Sequence, residues 1–277
     1  MTTTFLPRYA DAIRQFSSTT TERESGRPSE LLMGSGASGS KRLEVAYAPF
    51  DFVNDRARVV IVGLTPGSQQ MRLSLEEAGR CLRAGMEMTE VIRRAKAHAS
   101  FGGSMRNKLV ELLDFIGVNR FIDRPTAAGL WSKDQELAHF TSCLRYPVFV
   151  DGSNYSGNPR IMQTPFLRAE LERWLVEEMR ALPDAVWVTL GDHGADAARY
   201  AAKIAGLDPD HLVTGLPHPS GANNERVAYF LCQKPKAALS AKTNAVKMDA
   251  ARERILAQMA RLIAERSTAE RWSASKA

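Results

Sequence analysis

The fold of this chain is predicted from one stretch, VVIVGLTPG at residues 59–67. Its first four residues are all β-branched, and such a continuous apolar run is typical of a strand buried on both faces of a parallel sheet. Gly63 ends the run. In the turn that follows, Gly67 permits a close approach of the backbone, while Pro66 stiffens it. Taken alone, the segment predicts a tight turn between a strand and a helix.

Strand and helix patterns alternate on both sides of this stretch. Further strands are predicted at residues 43–49, 140–144, 185–190 and 212–216, and helices at residues 8–16, 75–95, 105–116, 164–182 and 247–265. Residues 17–41 are rich in Ser, Thr and Gly and are predicted to form a loop, either flexible or ordered over the surface. The alternation predicts a three-layer α/β/α sandwich around a mostly parallel central sheet. Ligands of such sheets bind in the loops that follow the strands.

Composition limits the class of protein. Hydrophobic residues make up 44% of the 277 residues and charged residues 25%, which predicts one sizeable packed domain with room for terminal additions. The net charge of +6 at pH 7 favours polyanionic partners, although many soluble proteins share such an excess. The chain start lacks the long apolar run of a signal peptide, and no segment has the length of a transmembrane helix. We therefore expect a soluble, cytoplasmic protein.

Cysteine usage argues against a metal centre. Cys81, Cys143 and Cys232 lie far apart, and there is no C-x-x-C pair that could nucleate a zinc ribbon or a cysteine-ligated iron–sulfur cluster. A sparse, odd set of cysteines also fits a reducing compartment. We expect no metal and no cofactor.

A second informative turn follows the last predicted strand. His218 stands between two prolines at the start of HPSGANN, residues 218–224, so its backbone is held extended. A rigid histidine at a strand end can present an N–H group to a developing anion. The alternative interpretation is a histidine in a surface loop.

Together the two turns resemble the two signature motifs of the uracil-DNA glycosylase superfamily. One is a G-x-x-P-G turn early in the sheet and the other an H-P-S-G turn at its end. Phe101, followed by two glycines and a helix, resembles the stacking phenylalanine of the thermophile-type families. Residues 140–145 resemble the strand that carries the base-reading asparagine. The resemblance spans roughly residues 58–229.

The resemblance implies a monofunctional DNA glycosylase of base excision repair, which flips uracil and other deaminated bases out of DNA and leaves an abasic site. In the family the histidine of the second motif, here His218, donates to base oxygen O2, and Phe101 would stack on the base. The remaining base-binding residues would be Gly63, Leu64, Pro66, Gly67 and Ser142. The residues implied to hold DNA phosphates are Ser68, Ser220, Gly221, Asn223 and Arg226.

Four departures from the family pattern bear on the chemistry. Thr65 replaces the usual Asp or Asn that positions water, which leaves Thr65 and Gln70 as the candidates for that role. Ser142 replaces the base-reading asparagine, and Gly67 replaces the tyrosine that excludes thymine, so a broader range of bases is expected. An alternative is that Arg145 or Asn107 supplies the missing contact. The thermophile-type families also bind an iron–sulfur cluster, for which this chain lacks the cysteines.

The resemblance also divides the chain. Residues 1–42 would form an N-terminal helix and flexible loop, residues 43–235 the catalytic domain, and residues 236–277 a helical extension packed on it. The expected partner is DNA containing uracil or other damaged bases, with free uracil as product, bound by a monomer associated with the nucleoid and not with a membrane. The alternatives are a non-catalytic protein that holds damaged or abasic DNA, and an unrelated α/β enzyme whose G-x-x-P-G turn binds a small ligand. His218 and Phe101 favour the glycosylase, because plain DNA binding needs neither an anion donor nor a stacking platform.

Overall fold

The structure is a computed structural model that describes residues 4–16 and 29–274. The strands are β1 (Leu32–Ser38), β2 (Lys41–Ala46), β3 (Val59–Gly63), β4 (Ala138–Ser142), β5 (Val148–Val150), β6 (Ser153–Asn154), β7 (Val186–Leu190) and β8 (Leu212–Leu216). The helices are α1 (Leu6–Gln15), α2 (Ser68–Arg83), α3 (Met88–Ala99), α4 (Ser104–Ile116), α5 (Val118–Phe121), α6 (Pro165–Leu171), α7 (Glu177–Ala181), α8 (Asp192–Ala205), α9 (Asn224–Phe230) and α10 (Ala245–Ala274).

A parallel sheet in the order β4-β3-β7-β8 forms the middle layer. Successive side chains of its central strand β3 enter two different apolar clusters. Val60 and Val62 pack with α2, α3 and α8, whereas Val59 and Ile61 pack with α4 and α10. Helices therefore cover both faces of the sheet, and the predicted three-layer α/β/α sandwich is confirmed.

A second, antiparallel sheet in the order β1-β2-β5-β6 lies beside the first core cluster. The expectation of a loop at residues 17–41 is wrong for residues 32–38, which form β1, while residues 17–28 lie outside the described residues. The sequence of β1 does not indicate a strand, because it contains small residues that the packing against neighbouring side chains requires. A Cβ on Gly36 would lie 2.5 Å from Cγ of Phe166, so only glycine leaves room for that ring.

Two predicted helices differ in detail from the structure. The segment at residues 75–95 belongs to two helices, α2 and α3, because Gly85 has φ 71° and interrupts the helical conformation between them. The pattern at residues 164–182 is helical throughout, but one π-helical turn at Glu172–Val176 joins α6 to α7. Hydrophobic spacing predicts that a segment is helical, and it is a weaker guide to interruptions.

Both ends of the described chain contact the core. In α1, Leu6 and Ile13 are buried in the first cluster, and the N–H of Phe5 donates to Asp51. The C-terminal helix α10 packs on β8 and buries Ile255 and Met259. The division of the chain at residues 42 and 235 stays a prediction. Within residues 4–16 and 29–274, no helix has the length and apolarity needed to cross a membrane.

Candidate active site

The carboxyl ends of β3 and β4 bring three predicted base-binding residues together. Gly63 pairs with Ser142 in the parallel register. A Cβ built on Gly63 would lie 3.2 Å from Oγ of Ser142 and 3.6 Å from Cζ of Phe101. The absence of a side chain at position 63 therefore lets the serine hydroxyl lie close to the strand end, beside the phenylalanine ring.

The backbone of Phe101 is held in a rare conformation. Its φ is 50°, in the left-handed region, which costs a non-glycine residue about 1–3 kcal/mol. The surroundings stabilise this conformation: Nε1 of Trp131 donates to the carbonyl of Ser100 at 2.9 Å, and the ring of Phe101 meets Phe140 edge-on at 6.1 Å. Such strain is commonly retained where a side chain has to be aimed at a ligand.

A small pocket opens beside these residues. Its lining residues are Phe50, Pro66, Gln70, Ser100, Phe101, Phe140, Thr141, Ser142 and Arg145. The pocket has a volume of about 20 Å³, which is room for about one water molecule. A nucleobase can enter only if lining side chains move; of these, Phe101 lies in a turn and Gln70 in the first turn of α2. Sequence reasoning missed Phe50, because it follows a strand of the antiparallel sheet and not one of the parallel sheet.

The hydroxyl of Thr141 is unusual in this pocket. The side chain is 7% exposed, and Oγ1 is buried without a hydrogen-bond partner in the described part of the chain. A buried hydroxyl without a partner is unfavourable by about 1–3 kcal/mol. Thr141 precedes Ser142 on β4, and nothing in its sequence context distinguishes it from an ordinary strand threonine.

The two candidates for positioning water differ in their surroundings. The hydroxyl of Thr65 donates to the carbonyl of Tyr146 at 3.0 Å and accepts from the N–H of Val148 at 3.2 Å. It therefore joins the first motif to β5 and has no proton left to donate. Gln70 lines the pocket, and its Oε1 accepts from the N–H of Gly67 at 3.2 Å. This bond orients the side chain and leaves its NH₂ group available.

The remaining residues of the first motif lie outside the pocket lining. Leu64 packs against the first core cluster. Gly67 faces Asn154 of β6, whose Nδ2 would lie 3.8 Å from a Cβ at position 67. Asn154 also accepts from the N–H of Ser68 at 3.0 Å and donates to its Oγ at 3.1 Å. Hydrogen bonds from β6 of the antiparallel sheet thus hold the start of α2, and the sequence did not predict this contact.

The second motif forms a continuous chain of hydrogen bonds that ends at His218. Arg226 donates to Oδ1 of Asn223 at 3.0 Å, and Asn223 donates to Oγ of Ser220 at 2.9 Å. The N–H of Ser220 then donates to Nδ1 of His218 at 3.2 Å. Gly221 is exposed at the tip of this turn. Four of the predicted residues therefore act on one another, with the imidazole at the end.

These contacts determine the proton position on His218. Burial lowers the pKa of the imidazole below its ordinary value, so the ring is neutral at pH 7. Because Nδ1 accepts a hydrogen bond, the single proton of the neutral ring lies on Nε2. The side chain is consequently a fixed neutral donor, as the interpretation of a rigid strand-end histidine requires.

His218 does not line the small pocket. Together with Asn223 and Arg226 it lines a larger cleft of about 1000 Å³ at the ends of β7 and β8. The turn after β7 lies between the two depressions. A Cβ on Gly191 would lie 3.4 Å from Cβ of His218, and one on Gly194 would lie 3.9 Å from the carbonyl oxygen of Gly63.

A buried group of charges lies behind the small pocket. Glu178 accepts from Nε of Arg145 at 2.6 Å, and its other oxygen lies 3.1 Å from Nε2 of His139. Burial opposes the ionisation of Glu178, but Arg145 and Lys96 outweigh it and hold the pKa below its usual range. Burial lowers the pKa of His139 to about 4 and that of Lys96 to about 8. The guanidinium of Arg145 also lies over the ring of Trp174, at 4.7 Å.

The buried charges bear on the alternative that Arg145 or Asn107 reads the base in place of an asparagine at position 142. Arg145 lines the small pocket, but its guanidinium is engaged by Glu178. Asn107 is exposed on α4 and is not among the pocket-lining residues. The sequence carried no signal for the group, because its members come from α3, β4, the turn after β4 and α7.

The cysteines do not form a ligand set. Cys81 and Cys143 are buried and Cys232 is exposed. Burial raises the pKa of the Cys143 thiol to about 12. In residues 4–16 and 29–274, no three or more His, Cys, Asp or Glu side chains are grouped to hold a metal ion. The cluster of the thermophile-type families therefore does not fit this part of the chain.

Residues suited to holding a planar ligand and stabilising an anion thus gather at the carboxyl edge of a parallel sheet, where α/β enzymes bind their substrates. The chain belongs to the uracil DNA glycosylase superfamily, whose family model matches residues 50–241. The uncharacterized protein YoxB of Bacillus subtilis (strain 168) is 31% identical over 215 residues, which cover 76% of this chain and 84% of that protein. No solved structure matches the chain. Membership of this family indicates a DNA glycosylase, a hydrolase whose substrate is DNA.

Proposed function

We propose that the protein is a monofunctional glycosylase that excises uracil and other deaminated bases from DNA. The observation that carries the proposal is the orientation of His218, a neutral imidazole whose Nδ1 is engaged and whose Nε2–H has no partner in the described part of the chain. Cleavage of the N-glycosidic bond places negative charge on the departing base and positive charge on the sugar. A preorganised donor aimed at the developing anion lowers that barrier by about 2.7–4 kcal/mol in comparable sites.

The small pocket and the larger cleft would contact different parts of the nucleotide. The base would stack on Phe101 over Gly63, and stacking of this kind contributes about 1–3 kcal/mol. Strands β3 and β8 are two spacings apart, about 10 Å, so the far edge of a base over Gly63 comes within reach of His218. Ser68, Ser220, Gly221, Asn223 and Arg226 would hold the flanking phosphates.

Gln70 is the better candidate for positioning the attacking water. Its NH₂ group is available at the pocket, whereas the hydroxyl of Thr65 is engaged as donor and acceptor by the backbone near β5. A carboxamide cannot remove a proton at neutral pH, so Gln70 would orient the water without acting as a base. Attack then relies on the positive charge that develops on the sugar.

The expected range of substrates is broad. Ser142 presents a rotating hydroxyl where an amide would present a donor and an acceptor in fixed geometry. A site without such fixed partners loses much of its power to reject the wrong base. We therefore expect excision of uracil and of at least one further lesion, such as hypoxanthine, xanthine or a 5-substituted uracil, within about two orders of magnitude of the uracil rate.

The test is incubation with oligonucleotides that carry each lesion, single- and double-stranded, in buffer containing EDTA, followed by alkaline cleavage of abasic sites. We expect strand breaks only after alkali, and no covalent adduct on borohydride treatment, because a Schiff base needs an amine at the sugar. Binding of abasic DNA without excision of any lesion would instead support the alternative, a non-catalytic protein of the same fold. In the cell we propose that the protein acts as a monomer where the chromosomal DNA lies.

A further inference from the structure

The C-terminal helix α10 forms one wall of the larger cleft. It lies beyond residues 50–241, the part that the family model matches. Gly215, with φ 106°, lets the helix approach β8 closely: a Cβ at that position would lie 3.0 Å from Nη2 of Arg254 and 3.2 Å from Cβ of Ala251. The helix is thus seated against the strand that leads to His218.

The cleft is strongly basic. Its lining has two carboxylates, Asp192 and Asp196, against six basic side chains: Arg160, Arg199, Arg226, Lys242, Lys247 and Arg254. This is an excess of four positive charges in one concave surface. The cations come from separate segments of the chain, and Arg199 and Arg254 both reach Thr214, at 2.8 and 2.7 Å.

Several of these cations are held by uncharged acceptors. Nη2 of Arg254 donates to the carbonyl of Thr214 at 2.7 Å, and Nη2 of Arg226 donates to the carbonyl of Lys242 at 3.1 Å. Carbonyl oxygens orient a guanidinium without cancelling its charge. Within the described part of the chain, Arg160, Arg226, Lys242 and Arg254 form no ion pair with a carboxylate. Their charge is available to an external anion.

We propose that this cleft binds the phosphate backbone of DNA next to the extruded nucleotide, with Lys242 and Arg254 of the C-terminal segment as phosphate contacts. The inference rests on the proposed function for the choice of DNA. An excess of cations that no carboxylate neutralises suits a polyanion, because such cations can replace the counterions of phosphate groups. Arg226 and Asn223 connect this surface directly to His218 through hydrogen bonds.

The test is the salt dependence of binding to a labelled duplex that carries one tetrahydrofuran abasic-site analogue. Each lost phosphate contact should reduce the slope of log K against log salt by about 0.9. We expect Lys242→Gln and Arg254→Gln each to reduce the slope by about that amount, and the double variant by about twice as much. Arg261→Gln is the matched control, an exposed arginine of α10 outside the cleft lining, and should leave the slope unchanged.

Binding of the analogue needs no excision, so a failure of this inference can be distinguished from a failure of the proposed function. Unchanged slopes in both single variants and in the double variant would overturn the inference. So would tight binding of inorganic phosphate that Arg254→Gln abolishes while the DNA slope stays constant, because the cleft would then serve a small anion. Thermal unfolding of each variant checks that the fold is retained.

A separate observation, the unpartnered hydroxyl of Thr141, carries a second inference. We infer that Thr141 hydrogen-bonds the flipped base and helps to determine specificity. Among the described residues its Oγ1 has no hydrogen-bond partner, and Thr141 is one of the residues that line the same small pocket as Phe101 and Ser142. A bound base that presents a carbonyl oxygen or an N–H group satisfies this hydroxyl, which can donate or accept. This inference also rests on the proposed function.

Thr141→Val removes the hydroxyl at nearly constant volume, and it should lower the excision rate without lowering the stability. The thermal unfolding midpoint should rise or stay constant, because a buried group without a partner is lost. Single-turnover excision should fall about tenfold for the lesions that contact it, equivalent to about 1.4 kcal/mol. Thr189→Val is the control: that buried hydroxyl donates to the carbonyl of Val213 at 3.3 Å, so its loss should lower the midpoint.

Equal excision by Thr141→Val and the wild type across all lesions would contradict the role in base recognition. A lower unfolding midpoint in Thr141→Val would contradict the unsatisfied state of the hydroxyl. An inactive wild-type protein would count against the proposed function, while the stability measurement would still test the observation behind this inference.

Discussion

Replacing His218 by alanine is expected to lower single-turnover excision of uracil by about two to three orders of magnitude. The imidazole is neutral because burial lowers its pKa, and its proton lies on Nε2 because Nδ1 accepts from Ser220. A neutral donor held in place before the reaction stabilises the departing base as charge develops, and it contributes little to the ground state. The change should therefore appear in the rate constant for excision, and the affinity for uracil-containing DNA should change little.

The measurement is excision under single-turnover conditions, with binding of the same duplex measured separately. His211→Ala is the matched control, because His211 lies at the opposite end of β8 and its Nδ1 faces the carbonyl of Pro183. It should excise at the wild-type rate. If His218→Ala also excised at that rate, the histidine would have no part in the chemistry.

The second large effect concerns stability. Glu178→Gln should lower the free energy of unfolding by about 3–5 kcal/mol, the usual result of breaking a buried ion pair by removing one partner. The glutamine keeps the shape of the side chain but removes the carboxylate that pairs with Arg145, and it leaves Asp51 as the remaining anion near Lys96. Denaturant unfolding of the variant against the wild type measures the difference.

The adjacent residue provides the control for this change. Glu177 is exposed, and its partner Arg180 is half exposed, so Glu177→Gln should change the free energy of unfolding by no more than about 1 kcal/mol. Equal stability of the two variants would show that the buried group does not stabilise the fold. The excision rate of Glu178→Gln, measured below its unfolding transition, would then show separately whether Arg145 shapes the pocket.

The same group predicts the stability on acidification. The folded protein keeps His139 neutral down to a pKa of about 4, whereas the unfolded chain binds that proton near about pH 6.5. The unfolded state therefore holds more protons between these values, and the free energy of unfolding falls as the pH drops through this window. Glu178, whose folded pKa is depressed, adds a further loss below its unfolded value. His139→Gln should flatten the dependence in the upper part of the window.

Local patterns in the sequence predicted the architecture and the two motifs. Runs such as residues 59–62 predict a buried parallel strand, because a strand covered on both faces has no polar side. Residues at the ends of such strands meet at one edge of the sheet, and this rule predicts Gly63 and His218 there, whereas the resemblance to the family adds Ser142. Strand β1 was missed, because its glycines and serines lack the alternation that would indicate a half-buried strand.

What the sequence determined by itself was the α/β/α fold, the family and the identity of the residues at the strand ends, since each depends on a short stretch of chain. Only the tertiary structure decided which groups those residues meet. It engaged Thr65 with the backbone near β5 and placed Arg145 against Glu178, and within the described residues it left the hydroxyl of Thr141 without a partner. It also seated α10 against Gly215 to build the basic cleft. These contacts join segments far apart in the chain, and hydrogen bonding, burial and charge act on distance in space, which no local pattern records.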